Sequence, residues 1–188
     1  MSFTADIQEI VDQLDAAERD AQALTTGLTE ERGNWRAHPG SWSVAECIDH
    51  LATANRVYLA AMRKTAARAS QQGRLRCGAA KPGWLGACFI RLLEPPAKRR
   101  LRAPASIKPR NAPPLADALA CFVASQNEVR AFLRAYGGLD LARVRFPNPF
   151  IRSLRFSLAT GLHVIAAHER RHLWQAWRTR NAAESARE

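Results

Sequence analysis

No run in this chain approaches the roughly 20 consecutive apolar side chains that a membrane-spanning helix needs. The longest candidate, Trp84 to Leu93, already holds Arg91. Cysteine is scarce and scattered: Cys47, Cys77, Cys88 and Cys121 fall at wide, irregular spacings with no C-x-x-C pair. That argues against both a disulfide framework and a cysteine zinc site, and suits a reducing compartment. Cys47 and Cys121 lie on apolar helical faces and read as small core residues. The first twenty residues lack the basic start and apolar run of a secretory leader and instead carry Asp6, Glu9, Asp12, Asp15, Glu18 and Asp20. A cytoplasmic protein is therefore expected.

Acidic groups are nearly missing from the middle of the chain. Residues 56–110 hold 14 basic groups and one acidic, against 3 and 10 over residues 1–55, within a net charge of +11. A basic middle of this kind suits nucleic acid, an acidic membrane surface or a small anion. Otherwise the composition, 47% apolar and 24% charged, is that of a globular chain, and 188 residues fit one domain. We assign that domain to residues 1–180, with a frayed tail over 181–188.

Strand-like alternation is absent, whereas helical periodicity recurs four times. Phe3, Ile7, Ile10, Val11, Leu14, Ala17, Ala21, Leu24 and Leu28 form one narrow apolar stripe. A second helix opens on the capping box Ser43…Glu46 and runs to about Ala69. On it, Val44, Ile48, Leu51, Tyr58 and Met62 share one face, and Cys47, His50, Ala54, Val57 and Ala61 form the adjacent row. A third helix is expected from Pro114 to Tyr136 and a fourth from Ser157 to Arg180. Four such helices bury their stripes most simply as an all-α four-helix bundle. Between the second and third lies an irregular, basic, Pro/Gly-rich connection over residues 70–113. A short helix at 84–93 fits there, stopped by Pro95 and Pro96. It reads first as a flap that hides its tryptophan against the bundle, and second as a membrane-surface element.

The histidines carry the chemistry. His168 and His172, four apart, lie about 40° apart on one face of the last helix, the geometry of a bidentate imidazole site for a divalent metal. His50 sits in an inward row beside the small side chains of Cys47 and Ala54. It either completes that site or is a core histidine bonded to a backbone carbonyl or to Gln126. His163 falls half a turn out of phase with His172, and His38, beside Pro39, reads as solvated.

The run Trp35-Arg36…Pro39-Gly40-Ser41-Trp42-Ser43-Val44-Ala45-Glu46…Asp49-His50-Leu51 resembles the opening of the DinB-like (YfiT-like) family. The run Ala167-His168-Glu169-Arg170-Arg171-His172-Leu173-Trp174-Gln175 resembles its closing signature. The likeness implies a four-helix bundle with one metal, usually zinc or nickel, held here by His50, His168 and His172, with open positions for water. It also implies kinship with thiol-dependent S-transferases and isomerases that use a low-molecular-weight thiol: bacillithiol, mycothiol or glutathione.

A metal-dependent enzyme acting on a small molecule, of the thiol S-transferase kind, is the leading reading, and a hydrolase on the same fold is its alternative. Glu46 and Gln175, each one turn from a ligand histidine, are candidates to orient the imidazoles. Lys98, Arg99, Arg100 and Arg102 are candidates to attract the carboxylates of a peptidic thiol. The third reading, a non-catalytic basic helical protein on nucleic acid, draws on the same cations. It lacks a helix-turn-helix, zinc-finger or RNA-binding signature. A homodimer is compatible with the pattern but not specified by it.

Overall fold

A computed structural model of the chain describes residues 3–96, 102–151 and 153–186. Its long elements are α1 (Ala5–Thr25), α3 (Val44–Gln71), α5 (Leu115–Tyr136) and α6 (Leu158–Ser185), with a one-turn α2 (Glu30–Gly33) and the short α4 (Trp84–Leu93) between them. The protein is all-α but for one small hairpin. α1 and α3 each pack on both α5 and α6, so the four long helices form a ring in the order α1, α5, α3, α6. Every apolar stripe read from the sequence faces inward. Ile7, Ile10, Leu14, Leu24, Ile48, Leu51, Met62, Phe122 and Leu133 are at most 1% exposed.

Local chemistry explains the helix ends. The Ser43 hydroxyl accepts from Glu46 N–H at 3.1 Å, and the Glu46 carboxylate accepts from Ser43 N–H at 2.9 Å, which starts α3 where the sequence signals it. α6 starts likewise, with the Ser157 hydroxyl accepting from Thr160 N–H. It continues to Ser185, past Arg180, where a frayed tail was expected.

A polar layer crosses the apolar core and touches all four long helices. Glu169 on α6 accepts from the Asn55 amide of α3 at 2.8 Å and from the Gln126 amide of α5 at 3.2 Å. The Gln126 amide also donates to the Leu14 carbonyl of α1, and Asn55 donates to the Ser125 hydroxyl. Pairings this specific fix how the helices rotate and slide against one another, which apolar contacts alone leave loose.

Two expectations change. Strands were not expected, yet β1 (Arg145–Pro147) and β2 (Arg155–Ser157) pair antiparallel, with Phe146 opposite Phe156. The pair is only three residues a side, too short for alternation to register, and tertiary packing makes it. Both phenylalanines are buried against the helices, and Gly161 lets α6 approach, since a Cβ there would lie 2.5 Å from Met62 Sδ and 2.8 Å from Phe146 Cζ. The helix at 84–93 does form, but it does not hide its tryptophan. It packs on α6 through Gly86 and Leu93, leaving Trp84 78% and Leu85 64% exposed.

Candidate metal centre

Two helices converge on one point. The capping box sets the rotation of α3, and the second turn that follows carries His50 inward. On α6, Ile165, His168 and His172 share the inward face, and Glu169 in the polar layer holds that rotation. The ring centroids of His50, His168 and His172 stand 4.9, 4.5 and 4.6 Å apart, nearly an equilateral triangle. One potential ligand atom from each lies within 4.8 Å of the other two. The Nε2 atoms of His50 and His168 are 3.2 Å apart. Two nitrogens bound tetrahedrally at 2.0–2.1 Å would be about 3.4 Å apart, so this spacing could accommodate a shared ion as well as an imidazole–imidazole hydrogen bond.

The rings are also in the right chemical state. His50 Nδ1 lies 2.5 Å from the Ile107 carbonyl, which can only accept, so Nδ1 carries the proton and the Nε2 lone pair faces His168. His50 is thus bonded to a backbone carbonyl and at the same time faces the other two histidines. Gln126 is not its partner, being engaged in the polar layer. Burial lowers the proton affinity of all three rings. His168 is brought down to about 3 by burial, then by His50 and Arg171. His172 falls well below the usual histidine range by burial, then by its two neighbours and Arg171, with Gln175 acting weakly in the opposite sense. Neutral imidazoles are what a metal needs.

His172 supplies the sharpest sign of a missing partner. Among the described residues its Nδ1 is buried with no hydrogen-bond partner, an arrangement that costs about 1–3 kcal/mol unless something answers it. Trp42 walls the cluster, its ring 4.6 Å from His50 and 5.5 Å from His172. His168 has the most exposed area of the three.

Several expected supporting roles fall differently. Glu46 does not orient His50: its carboxylate closes the capping box and accepts from Arg36 Nε at 2.9 Å and Nη2 at 2.5 Å. The orienting group is the Ile107 carbonyl, delivered by a turn of 3-10 helix at Ala105–Ile107 inside the basic connection. That turn is strapped down by Arg110, whose backbone N–H, Nε and Nη2 all donate to Asp49, one residue before His50. No sequence signal marks a carbonyl as a partner, although Asp49 beside His50 was visible in the motif. Gln175 stays beside His172 without satisfying Nδ1. Lys98, Arg99 and Arg100 lie outside the described residues, and Arg102 is exposed. His163 is turned away, 3.3 Å from the Ala80 carbonyl, and His38 is exposed. Two surface cavities, one of about 300 Å³ and one of about 430 Å³, lie elsewhere, and neither is lined by the three histidines.

The depressed histidines set an acid limit. Their folded proton affinity is below the unfolded value, so below about pH 6.5 the unfolded chain takes up protons that the fold refuses, and stability falls as pH falls. Relative to His168→Gln, metal-free wild type should therefore lose melting temperature between pH 7 and pH 5. A constant or widening wild-type advantage toward pH 5 would contradict the burial argument.

No curated protein and no solved structure matches the chain. Among the described residues, no helix is long and apolar enough to cross a membrane. The chain does match the DinB superfamily over residues 13–176, a span that takes in both the capped opening of α3 and the paired histidines of α6. The protein belongs to the DinB superfamily.

Proposed function

We propose that this protein is a divalent-metal-dependent enzyme in which His50, His168 and His172 hold zinc or nickel and a low-molecular-weight thiol is the second substrate. The observation that carries this reading is the triangle of neutral imidazoles, one of which, His172, has a buried Nδ1 without a hydrogen-bond partner among the described residues. A metal held by three neutral nitrogens keeps its full charge and open positions, and would lower the pKa of a bound thiol or water.

The chain's own residues favour a thiol over water. The carboxylates nearest the site in sequence are all committed: Glu46 to Ser43 and Arg36, Asp49 to Arg110, and Glu169 to Asn55 and Gln126. Among the described residues none is placed beside the histidines to take a proton from water, as hydrolysis would ask. A thiol, with an ordinary pKa near 8.5, needs far less help to ionise. Ile107 and Asp49 with Arg110 hold His50, Gln175 stands beside His172, and Trp42 shields the cluster from solvent on one side.

Elemental analysis of protein purified without a histidine tag tests the assignment. Wild type should carry about one equivalent of zinc or nickel, and His50→Ala and His168→Ala less than a tenth of that. Equal metal in all three proteins would end it. Thiol-dependent consumption of an electrophile by wild type, absent in His168→Ala, then tests the chemistry.

A further inference from the structure

The basic character of this protein is not spread evenly over its described surface. Nine arginines (Arg36, Arg56, Arg63, Arg76, Arg110, Arg130, Arg143, Arg170 and Arg180) sit within 4.0 Å of a carboxylate. One cavity shows the opposite pattern. It has a volume of about 300 Å³, and Lys64, Arg68, Arg74, Arg145 and Arg155 line it with no acidic residue among its walls. Among the described residues, none of these five cations has a carboxylate partner.

Three segments distant in sequence build the cavity. The last turns of α3 supply Lys64 and Arg68, one turn apart, a like-charged pairing that works against the helix on its own. Arg74 follows on a stretch held by an isolated bridge between Leu75 and Leu139. The hairpin supplies the far wall. Because Phe146 and Phe156 point into the core, their neighbours Arg145 and Arg155 point out on the other face. Arg155 Nη2 donates to the Arg145 carbonyl at 3.2 Å, which holds its guanidinium against the hairpin. Buried Ala69 and Val144 floor the cavity, and Thr65 and Gln72 add neutral donors. Five cations facing one hollow repel each other, and a multiply charged anion relieves all of those repulsions together.

We propose that this cavity binds a small polyphosphate anion. Four guanidiniums and an ammonium match the oxygen-rich, multiply charged surface of a diphosphate, with arginine suited to bidentate phosphate contact. The site is separate from the histidine centre: Lys64 lies 14 residues from His50 along α3, about 21 Å. The set differs from the Lys98–Arg102 run that the sequence offers, because its members meet only in the folded chain.

The test is calorimetric titration of inorganic pyrophosphate into the full-length chain. Pyrophosphate also binds metals, so the chain carries His168→Ala and is dialysed against chelator. Saturable one-to-one binding is expected, weakened at least 10-fold by Arg68→Ala and by Arg155→Ala and abolished by the pair. A nucleoside diphosphate in a parallel arm identifies the source. Tenfold tighter binding than pyrophosphate assigns a nucleotide, and equal binding assigns the phosphates alone, both in favour of the site. Absence of binding at 20 mM salt, or equal affinity in the double variant, overturns it. So does a DNA duplex that binds more tightly than pyrophosphate, with a steep salt dependence lost in the same variants. Unchanged thermal unfolding of Arg68→Ala and Arg155→Ala, both exposed positions, keeps the comparison clean.

Discussion

Chelation should lower the melting temperature of the wild-type protein by about 10 °C and leave His168→Ala where it was. A ligand that binds only the folded chain stabilises it by RT ln(1 + [L]/Kd), about 4 kcal/mol when free metal is a thousand times Kd. For a domain of this size each kcal/mol moves the midpoint by about 2–4 °C. The unfolded chain competes weakly, because His50 and His168 are 118 residues apart along it and the three histidines meet only in the fold. In the absence of metal the folded chain also keeps, among the described residues, the buried and unpartnered Nδ1 of His172. Thermal melts with and without chelator, followed by titration of zinc or nickel back to one equivalent, read this out. A midpoint that ignores chelator in metal-loaded wild type would mean that no ion bridges these residues.

Glu169 should show the second large effect. Burial raises its carboxyl to about 8, with the Asn55 and Gln126 amides pulling it back only in part. Its folded proton affinity exceeds the unfolded value near 4.5. The stabilisation it gives is therefore complete below about pH 4.5 and lost as pH rises toward 8. Glu169→Gln keeps the shape and the neutral state, so its stability relative to wild type should rise steadily between pH 5 and pH 8. Glu169→Ala removes the acceptor shared by Asn55 and Gln126 and opens a cavity in a core position at 0% exposure. It should cost about 3–5 kcal/mol, near 10 °C in midpoint. Denaturant unfolding of the three proteins at several pH values separates these effects. A pH-independent difference between Glu169→Gln and wild type would place an ionised carboxylate in the core instead.

Much of this architecture was legible in advance. The stripes over α1, α3, α5 and α6 are long enough that periodicity outvotes every local exception, and Ser43 with Glu46 marks a helix start to the residue. His168 and His172 had to share a face because helix geometry alone puts them there. The one-turn α2 and the three-residue strands carry too few residues to show a period. The exposure of Trp84 contradicts hydrophobicity, which names what prefers burial but not what finds a neighbour.

Other facts live only in three dimensions. That His50 meets the α6 pair depends on how α3 rotates against α6, a rotation held by Asn55, Gln126 and Glu169 from three helices. That a carbonyl at Ile107 sets the tautomer of His50 depends on a strap whose anchor, Arg110 to Asp49, joins residues 61 apart. The cations of the hollow under the hairpin come from positions 64 to 155, and charge along a chain does not say which charges will face one another. Helix content and the inward faces are properties of near neighbours, so residue order alone determined them. The joining of the histidines, the place of the proton on His50 and the gathering of the cations are properties of groups that touch only after packing, and the tertiary structure decided them.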